Sequence, residues 1–225
     1  MKKGVILAGG KGTRLYPLTE VVNKHLLPVY NKPMILYPIE TLKNLGIKDI
    51  LIITGGEHVG TFLEFLGDGS KLGVNFTYKV QKESGGIAQA LSLAEDFVDE
   101  QFAVILGDNI FKDSIKPTND GCGLVLTSVK DPNRFGVFSE GKIIEKPRES
   151  LSSLAVTGLY FYTPEIFKYI KTQKPSARGE LEVTDLNNWC LENLPTEIIN
   201  YNGFWSDAGT FDSLLLSSNF IKNNA

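Results

Sequence analysis

The chain has 225 residues, about one and a half times a typical domain, of which 42% are apolar, 22% charged and 10% aromatic. This is enough for a sizeable core and leaves no compositional ground for disorder. A net charge of −3 speaks against a general nucleic-acid surface. No apolar stretch approaches the roughly 18 residues of a membrane span, and Met1-Lys2-Lys3 leads into too short an apolar run for a secretory leader. Two cysteines, Cys122 and Cys190, exclude a disulfide framework and a four-ligand zinc site. They suit a reducing cytoplasm, which is the expected location.

In chain order, short β-branched runs alternate with stretches of helical spacing, the pattern of βα units on a largely parallel sheet. Strands are predicted at Gly4–Ala8, Asp49–Thr54, Val74–Lys79, Phe102–Leu106, Gly123–Val129 and Ala155–Tyr162. Helices are predicted between them at Pro33–Leu45, Val59–Leu66, Ile87–Phe97 and Pro164–Lys171, with the two prolines in first turns, where a missing N–H costs little. Asp113–Gly121 reads as a loop, and Glu140-Gly141 as the turn of a hairpin between Arg134–Ser139 and Lys142–Ile144. Val183–Leu194 and Thr210–Lys222 read as closing helices, Thr210 being a candidate N-cap. No linker or repeat interrupts the chain. One domain is expected, with one half over about 1–110 and a second over about 111–225.

Five segments carry candidate chemistry. Directly after the first strand comes Leu7-Ala8-Gly9-Gly10-Lys11-Gly12-Thr13-Arg14-Leu15. Glycines let backbone N–H groups approach phosphate oxygens, and Lys11 and Arg14 add charge at the sheet edge where open α/β folds bind ligands. The spacing fits neither a dinucleotide fingerprint nor a P-loop. Lys24, in Asn23-Lys24-His25-Leu26-Leu27-Pro28, reads alone as a solvated lysine, and its closeness in sequence to the glycine loop gives it interest. His25 reads as a hydrogen-bonded structural histidine.

Asp108 and Asn109 end the strand Phe102–Leu106 after Gly107 and so fall on the same sheet edge. Such a carboxylate suits Mg²⁺, although an Asp-Asn turn is the plainer alternative. Asp207, in Trp205-Ser206-Asp207-Ala208-Gly209-Thr210, is either a helix cap or a second metal carboxylate. Spacing alone does not join it to Asp108. Glu145-Lys146-Pro147, Ala155-Val156-Thr157-Gly158 and Arg178-Gly179-Glu180 each read singly as loop or salt-bridge features. Together they could hold a ligand bearing hydroxyls and a phosphate.

Taken in order, these segments resemble the sugar-1-phosphate nucleotidylyltransferases. The resemblance rests on Leu-Ala-Gly-Gly-x-Gly-Thr-Arg-Leu, Lys-His-Leu-Leu-Pro, Gly-Gly-Ile-Ala-Gln-Ala, Gly-Asp-Asn-Ile-Phe, Asp-Pro-Asn-Arg-Phe-Gly-Val and Trp-Ser-Asp-Ala-Gly-Thr, and it spans almost the whole chain. The stretch Lys-Pro-Ser-Ala-Arg-Gly-Glu-Leu-Glu points more narrowly to the thymidylyl-transferring branch.

The resemblance implies a Rossmann-like, GT-A-like α/β fold with a mixed, mostly parallel sheet flanked by helices. It implies Mg²⁺ as cofactor and a reaction of dTTP with glucose 1-phosphate. Gly9, Gly10, Gly12 and Thr13 would cradle the nucleotide, with Arg14 and Lys24 on its phosphates and Gln81 and Gly86 facing its base. Asp108 and Asp207 would hold the metal. Asn109, Gly136, Glu145, Val156 and Thr157 would meet the sugar, and Lys146 and Arg178 its phosphate. The same resemblance admits UTP, another sugar phosphate, or a non-catalytic binding domain as alternatives. Long family members continue past the helix that ends near Asn223, so this chain is expected to be a short form, without their feedback site and with its oligomeric state open. The segment Lys112–Gly121 is trimmed relative to the long form.

Overall fold

The computed structural model describes residues 1–224. A nine-stranded mixed sheet forms its centre. Four parallel strands, β1 (Lys3–Ala8), β2 (Asp49–Gly55), β3 (Asn75–Gln81) and β4 (Phe102–Leu106), lie in the order β4-β1-β2-β3. The others are β5 (Cys122–Ser128), β6 (Gly136–Ser139), β7 (Lys142–Glu145), β8 (Leu154–Tyr162) and β9 (Thr196–Asn200).

Strand β8 joins the halves. One edge pairs antiparallel with β4 through Leu159–Tyr162 and with β6 at Ala155–Val137, while the other pairs with β5, which carries β9 parallel at the far side. The β8–β5 register shifts between Val156 and Tyr160, so Thr157 and Gly158 fall between its two runs. Such an irregularity re-aims backbone groups, and here it does so beside the site described below.

The period-two alternation of the strands sorts the core. Val5, Leu7, Leu51 and Ile53 face one side, packed with α3 (Ile87–Ser92), α4 (Ile166–Ile170) and α5 (Val183–Asn193). Ile6, Ala8, Ile50 and Ile52 face the other, under α1 (Leu36–Asn44) and α2 (Val59–Leu66). Each of these strand residues is at most 7% exposed, so both faces are dry and the polar ligand groups are left to the strand ends.

Several predicted boundaries move. The first long helix begins at Leu36, not Pro33, because Lys32–Pro33 pairs with Pro28–Val29 in a small hairpin. The N–H groups of Met34 and Ile35 donate to Leu27 and His25 carbonyls, outside any helix. Helix α3 stops at Ser92, and Arg134 belongs to a tight turn ahead of β6 rather than to the strand. Strand β9 has no sequence forecast. The hairpin turn at Glu140-Gly141 is present with both residues at positive φ, 51° and 80°. Thr210 caps the final helix, α6 (Phe211–Asn224), its Oγ1 accepting from the Ser213 N–H at 3.2 Å.

Candidate active site

At the C-terminal ends of β1 and β4 the sheet opens into two adjoining cavities of about 510 and 720 Å³. Because Leu7 pairs with Leu106, the glycine loop after β1 and the carboxylate after β4 must emerge side by side. The first cavity is lined by Gly9, Gly10, Arg14, Lys24, Gln81, Gly86 and Asp108. The second is lined by Thr13, Asn109, Gly136, Glu145, Lys146, Val156, Thr157, Arg178 and Asp207. Arg14 and Asp108 line both, which places them where the two cavities join. Of the residues to which the resemblance gives a binding role, only Gly12 lines neither cavity. It turns the loop in the left-handed region (φ 67°) and accepts a hydrogen bond from Thr19 Oγ1 at 3.0 Å.

Asp108 is 7% exposed and carries the strongest local bonds. Lys24 Nζ lies 2.6 Å from its Oδ2, and Asn109 Nδ2 donates to its Oδ1 at 2.9 Å. Burial opposes the charge on Asp108, but the Lys24 ammonium and these hydrogen bonds outweigh it and hold the carboxyl below its usual range. Asn109 is itself fixed, since its Oδ1 accepts from the Gly158 N–H at 2.9 Å and the Trp205 Nε1–H at 2.7 Å. The register shift in β8 therefore frees Gly158 to orient Asn109, which orients Asp108. Thr157 Oγ1 is spent on the Val125 carbonyl at 2.9 Å, leaving its main chain to face the cavity.

A two-stranded ladder of Ile110–Phe111 with Trp205–Ser206 brings Asp207 to the same rim, across about a hundred residues of chain. The approach is close. A Cβ at Gly209 would lie 2.9 Å from an Arg14 nitrogen, 3.3 Å from the Asp207 carbonyl oxygen and 3.5 Å from Asp108 Oδ2. The Asp207 carboxylate meets Arg134 Nη2 at 3.4 Å. Ala208 next to it and Lys146 across the cavity both hold positive φ, 33° and 43°, a strain that tends to collect at functional sites.

The second cavity carries a charged network. Glu145 takes Lys146 at 3.1 Å, Arg178 at 3.7 Å and the Thr184 hydroxyl at 2.6 Å. Arg178 is tied more tightly to Glu182, at 2.8 Å and 3.1 Å. His25 lines the first cavity but is 2% exposed, and burial, reinforced by Lys24, pushes its pKa down to about 3. Asn23 Oδ1 accepts the His25 backbone N–H, so its 2.9 Å contact with Nδ1 requires a proton there. His25 is the hydrogen-bonded structural histidine that the sequence suggested, and burial keeps it neutral.

Arg134 and Trp205 also line the second cavity, and the sequence reading gives neither a role of its own. Arg134 lies within the Asp-Pro-Asn-Arg-Phe-Gly-Val motif and Trp205 within Trp-Ser-Asp-Ala-Gly-Thr, so the signal was in segments already quoted.

Two adjoining polar cavities at the strand ends of a mixed sheet, lined by a glycine loop, cations and carboxylates, suit an enzyme that brings two anionic substrates together. The nucleotidyl transferase family profile matches residues 3–224, and the chain belongs to that family. It is 45% identical to a glucose-1-phosphate thymidylyltransferase of Neisseria meningitidis, over 98% of this chain and 82% of that protein. The enzyme of the same name from Mycobacterium tuberculosis is 40% identical, with the same shares covered. A Bacillus anthracis protein provisionally named glucose-1-phosphate thymidylyltransferase, crystallised with sucrose, superposes with a TM-score of 0.93. It is 51% identical over 99% of this chain and 96% of its own. A UDP-glucose pyrophosphorylase with bound UDP-glucose shares the fold at 24% identity and a TM-score of 0.84.

Proposed function

We propose that the protein transfers a thymidylyl group from dTTP to α-D-glucose 1-phosphate, giving dTDP-glucose and pyrophosphate. The observation that carries this reading is the pair of adjoining cavities that share Arg14 and Asp108, with Lys24 bonded to Asp108 on the side of the first and Asp207 lining the second. The nucleotide would occupy the cavity lined by Gly9, Gly10 and Gln81, and the sugar phosphate the cavity lined by Glu145, Lys146 and Arg178.

The attacking phosphate oxygen is already ionised at neutral pH, so no general base is required. It forms a bond to the α-phosphorus as the bond to the bridging oxygen of pyrophosphate breaks. The obstacle is repulsion between two polyanions, and the protein's contribution is positioning and fixed positive charge. Arg14 and Lys24 neutralise the triphosphate, Lys146 and Arg178 aim the acceptor phosphate, and Glu145 accepts from sugar hydroxyls.

Asp108 and Asp207 line one cavity, where each carboxylate would offer hard oxygens, and no group of three or more His, Cys, Asp or Glu that could hold a metal occurs among the described residues. Two carboxylates completed by phosphate oxygens and water fit Mg²⁺ and do not fit a caged transition metal. When bound there, Mg²⁺ would supply Lewis-acid charge neutralisation on the phosphates. The testing experiment is pyrophosphate release by the purified protein with Mg²⁺, across four nucleotides and several sugar 1-phosphates. Highest kcat/KM for dTTP with glucose 1-phosphate is the expected result, and no release with any pair would overturn the reading.

A further inference from the structure

We propose that Gln89, which stands behind the first cavity and does not line it, is a positioning residue that sets which pyrimidine the cavity accepts. This deepens the nucleotidyl-transfer reading and rests on it for the placing of a base against Gln81.

Gln81 ends β3 with its side-chain amide in the cavity wall. Its Nε2 donates to Gln89 Oε1 at 2.6 Å and lies 3.4 Å from the Gly86 carbonyl oxygen. A main-chain carbonyl can only accept, so the Gly86 contact identifies the nitrogen end of the Gln81 amide independently of Gln89. The oxygen end points the other way, onto the glycine loop. A Cβ at Gly9 would sit 2.5 Å from Gln81 Oε1, so only glycine leaves room for it. The acceptor end thus lies on the Gly9 side, where Gly9 and Gln81 both line the cavity, and the donor is turned away into the α3 side of the wall.

An acceptor there matches a base whose ring nitrogen carries hydrogen. Thymine and uracil present N3–H between two carbonyls. Cytosine presents a bare N3 lone pair, which would face the Gln81 oxygen lone pair to lone pair. A glutamine amide rotates readily about its terminal torsion, so Gln81 alone could turn and offer either polarity. Turning it would set the Gln81 oxygen against the Gly86 carbonyl, which can only accept, and give up the 2.6 Å bond to Gln89. Gln89 thus strengthens a polarity that the Gly86 carbonyl favours only weakly, without itself touching the base.

The test compares dUTP with dCTP, which share size and sugar and differ only at the base. Gln89→Met keeps the side chain's shape and removes the acceptor, and Gln89→Glu keeps an acceptor. The wild-type enzyme should prefer dUTP by at least about a hundred-fold in kcat/KM. Gln89→Met should shrink that ratio by about ten-fold, the worth of one hydrogen bond, and leave KM for glucose 1-phosphate unchanged. Gln89→Glu should retain the wild-type ratio.

A Gln89→Met enzyme that weakens both nucleotides equally would show a packing role alone and overturn the proposal. So would a Gln89→Glu enzyme that loses the ratio as far as Gln89→Met does. Equilibrium dialysis of dUTP and dCTP against the same three proteins gives the affinity ratio without turnover. An absence of turnover with intact, Gln89-dependent dUTP preference in dialysis would count against the catalytic reading and not against Gln89.

Discussion

Lys24 Nζ rests 2.6 Å from Asp108 Oδ2, with both side chains nearly enclosed, at 13% and 10% exposure. The ammonium thus stands where the phosphates and a metal would come, and it keeps Asp108 ionised in spite of its burial. Asp108→Asn should leave a folded protein, since the asparagine stays polar and hydrogen-bonded. Mg²⁺-dependent pyrophosphate release should fall by roughly a hundred-fold or more, as loss of several kcal/mol of charge stabilisation implies. Near-normal turnover, with an unchanged circular dichroism spectrum, would reject the metal role of Asp108.

Lys146 tests the division of labour between the cavities. Its ammonium lies 3.1 Å from Glu145 on the acceptor side, in the cavity that Gln81 does not line. Lys146→Ala should raise KM for glucose 1-phosphate by about ten-fold or more, the range for a charged hydrogen bond, and barely change KM for dTTP. Steady-state kinetics with each substrate varied in turn would show it, and equal increases would remove the proposed partition.

The pH dependence of stability should carry the mark of His25. Its folded pKa, pushed down to about 3 by burial and the neighbouring Lys24, lies below the ordinary 6.5. Between those values the unfolded chain binds a proton that the folded protein refuses, so stability is full above pH 6.5 and declines as pH falls toward 3. At pH 5 the loss should be about 2 kcal/mol relative to pH 7. Urea unfolding at the two pH values should show this in the wild type and a flatter profile in His25→Gln. An equal slope in both proteins would assign the effect elsewhere.

Trp205 donates to Asn109, which donates to Asp108. Trp205→Phe leaves an aromatic ring against Phe135 but withdraws one of the two donors to Asn109 Oδ1. Thermal unfolding should register a loss of about 1 kcal/mol. If Asn109 steadies Asp108, kcat should also drop several-fold while both KM values hold. A stability loss with kcat unchanged would limit Trp205 to packing.

The strands were legible where local pattern and tertiary demand agree. Phe102–Leu106 is found at its predicted bounds, and Gly4–Ala8 and Asp49–Thr54 each grow by one residue, because a strand buried on both faces reads as an unbroken apolar run; the half-exposed edge strand Asn75–Gln81 moves further. Thr196–Asn200 was illegible for the opposite reason. It is short, half-exposed and carries only two apolar residues, Ile198 and Ile199, and it is a strand because β5 offers an open edge. Pro33 misled because a proline suits a first helical turn and a hairpin end equally well, and the bonds from Met34 and Ile35 decide between them.

Among site residues, those on the two sheet-edge loops followed from strand order. Asp207 could not, since its place depends on a ladder of two residues on each strand. Gln89 was invisible as more than a helix residue, because its part depends on which end of a neighbouring amide it holds.

Strand β8 is hydrogen-bonded to β4 near one end, to β6 near the other and to β5 along its outer edge. No free hinge therefore stands between the wall that would grip the nucleotide and the wall that would grip its acceptor. Any bending of this shared ribbon would fall most readily at its own irregularity, between Val156 and Tyr160, where Gly158 also steadies Asn109. Such bending would tug directly on the side chain that aims Asp108, tying the grip on substrate mechanically to the alignment of the reacting groups.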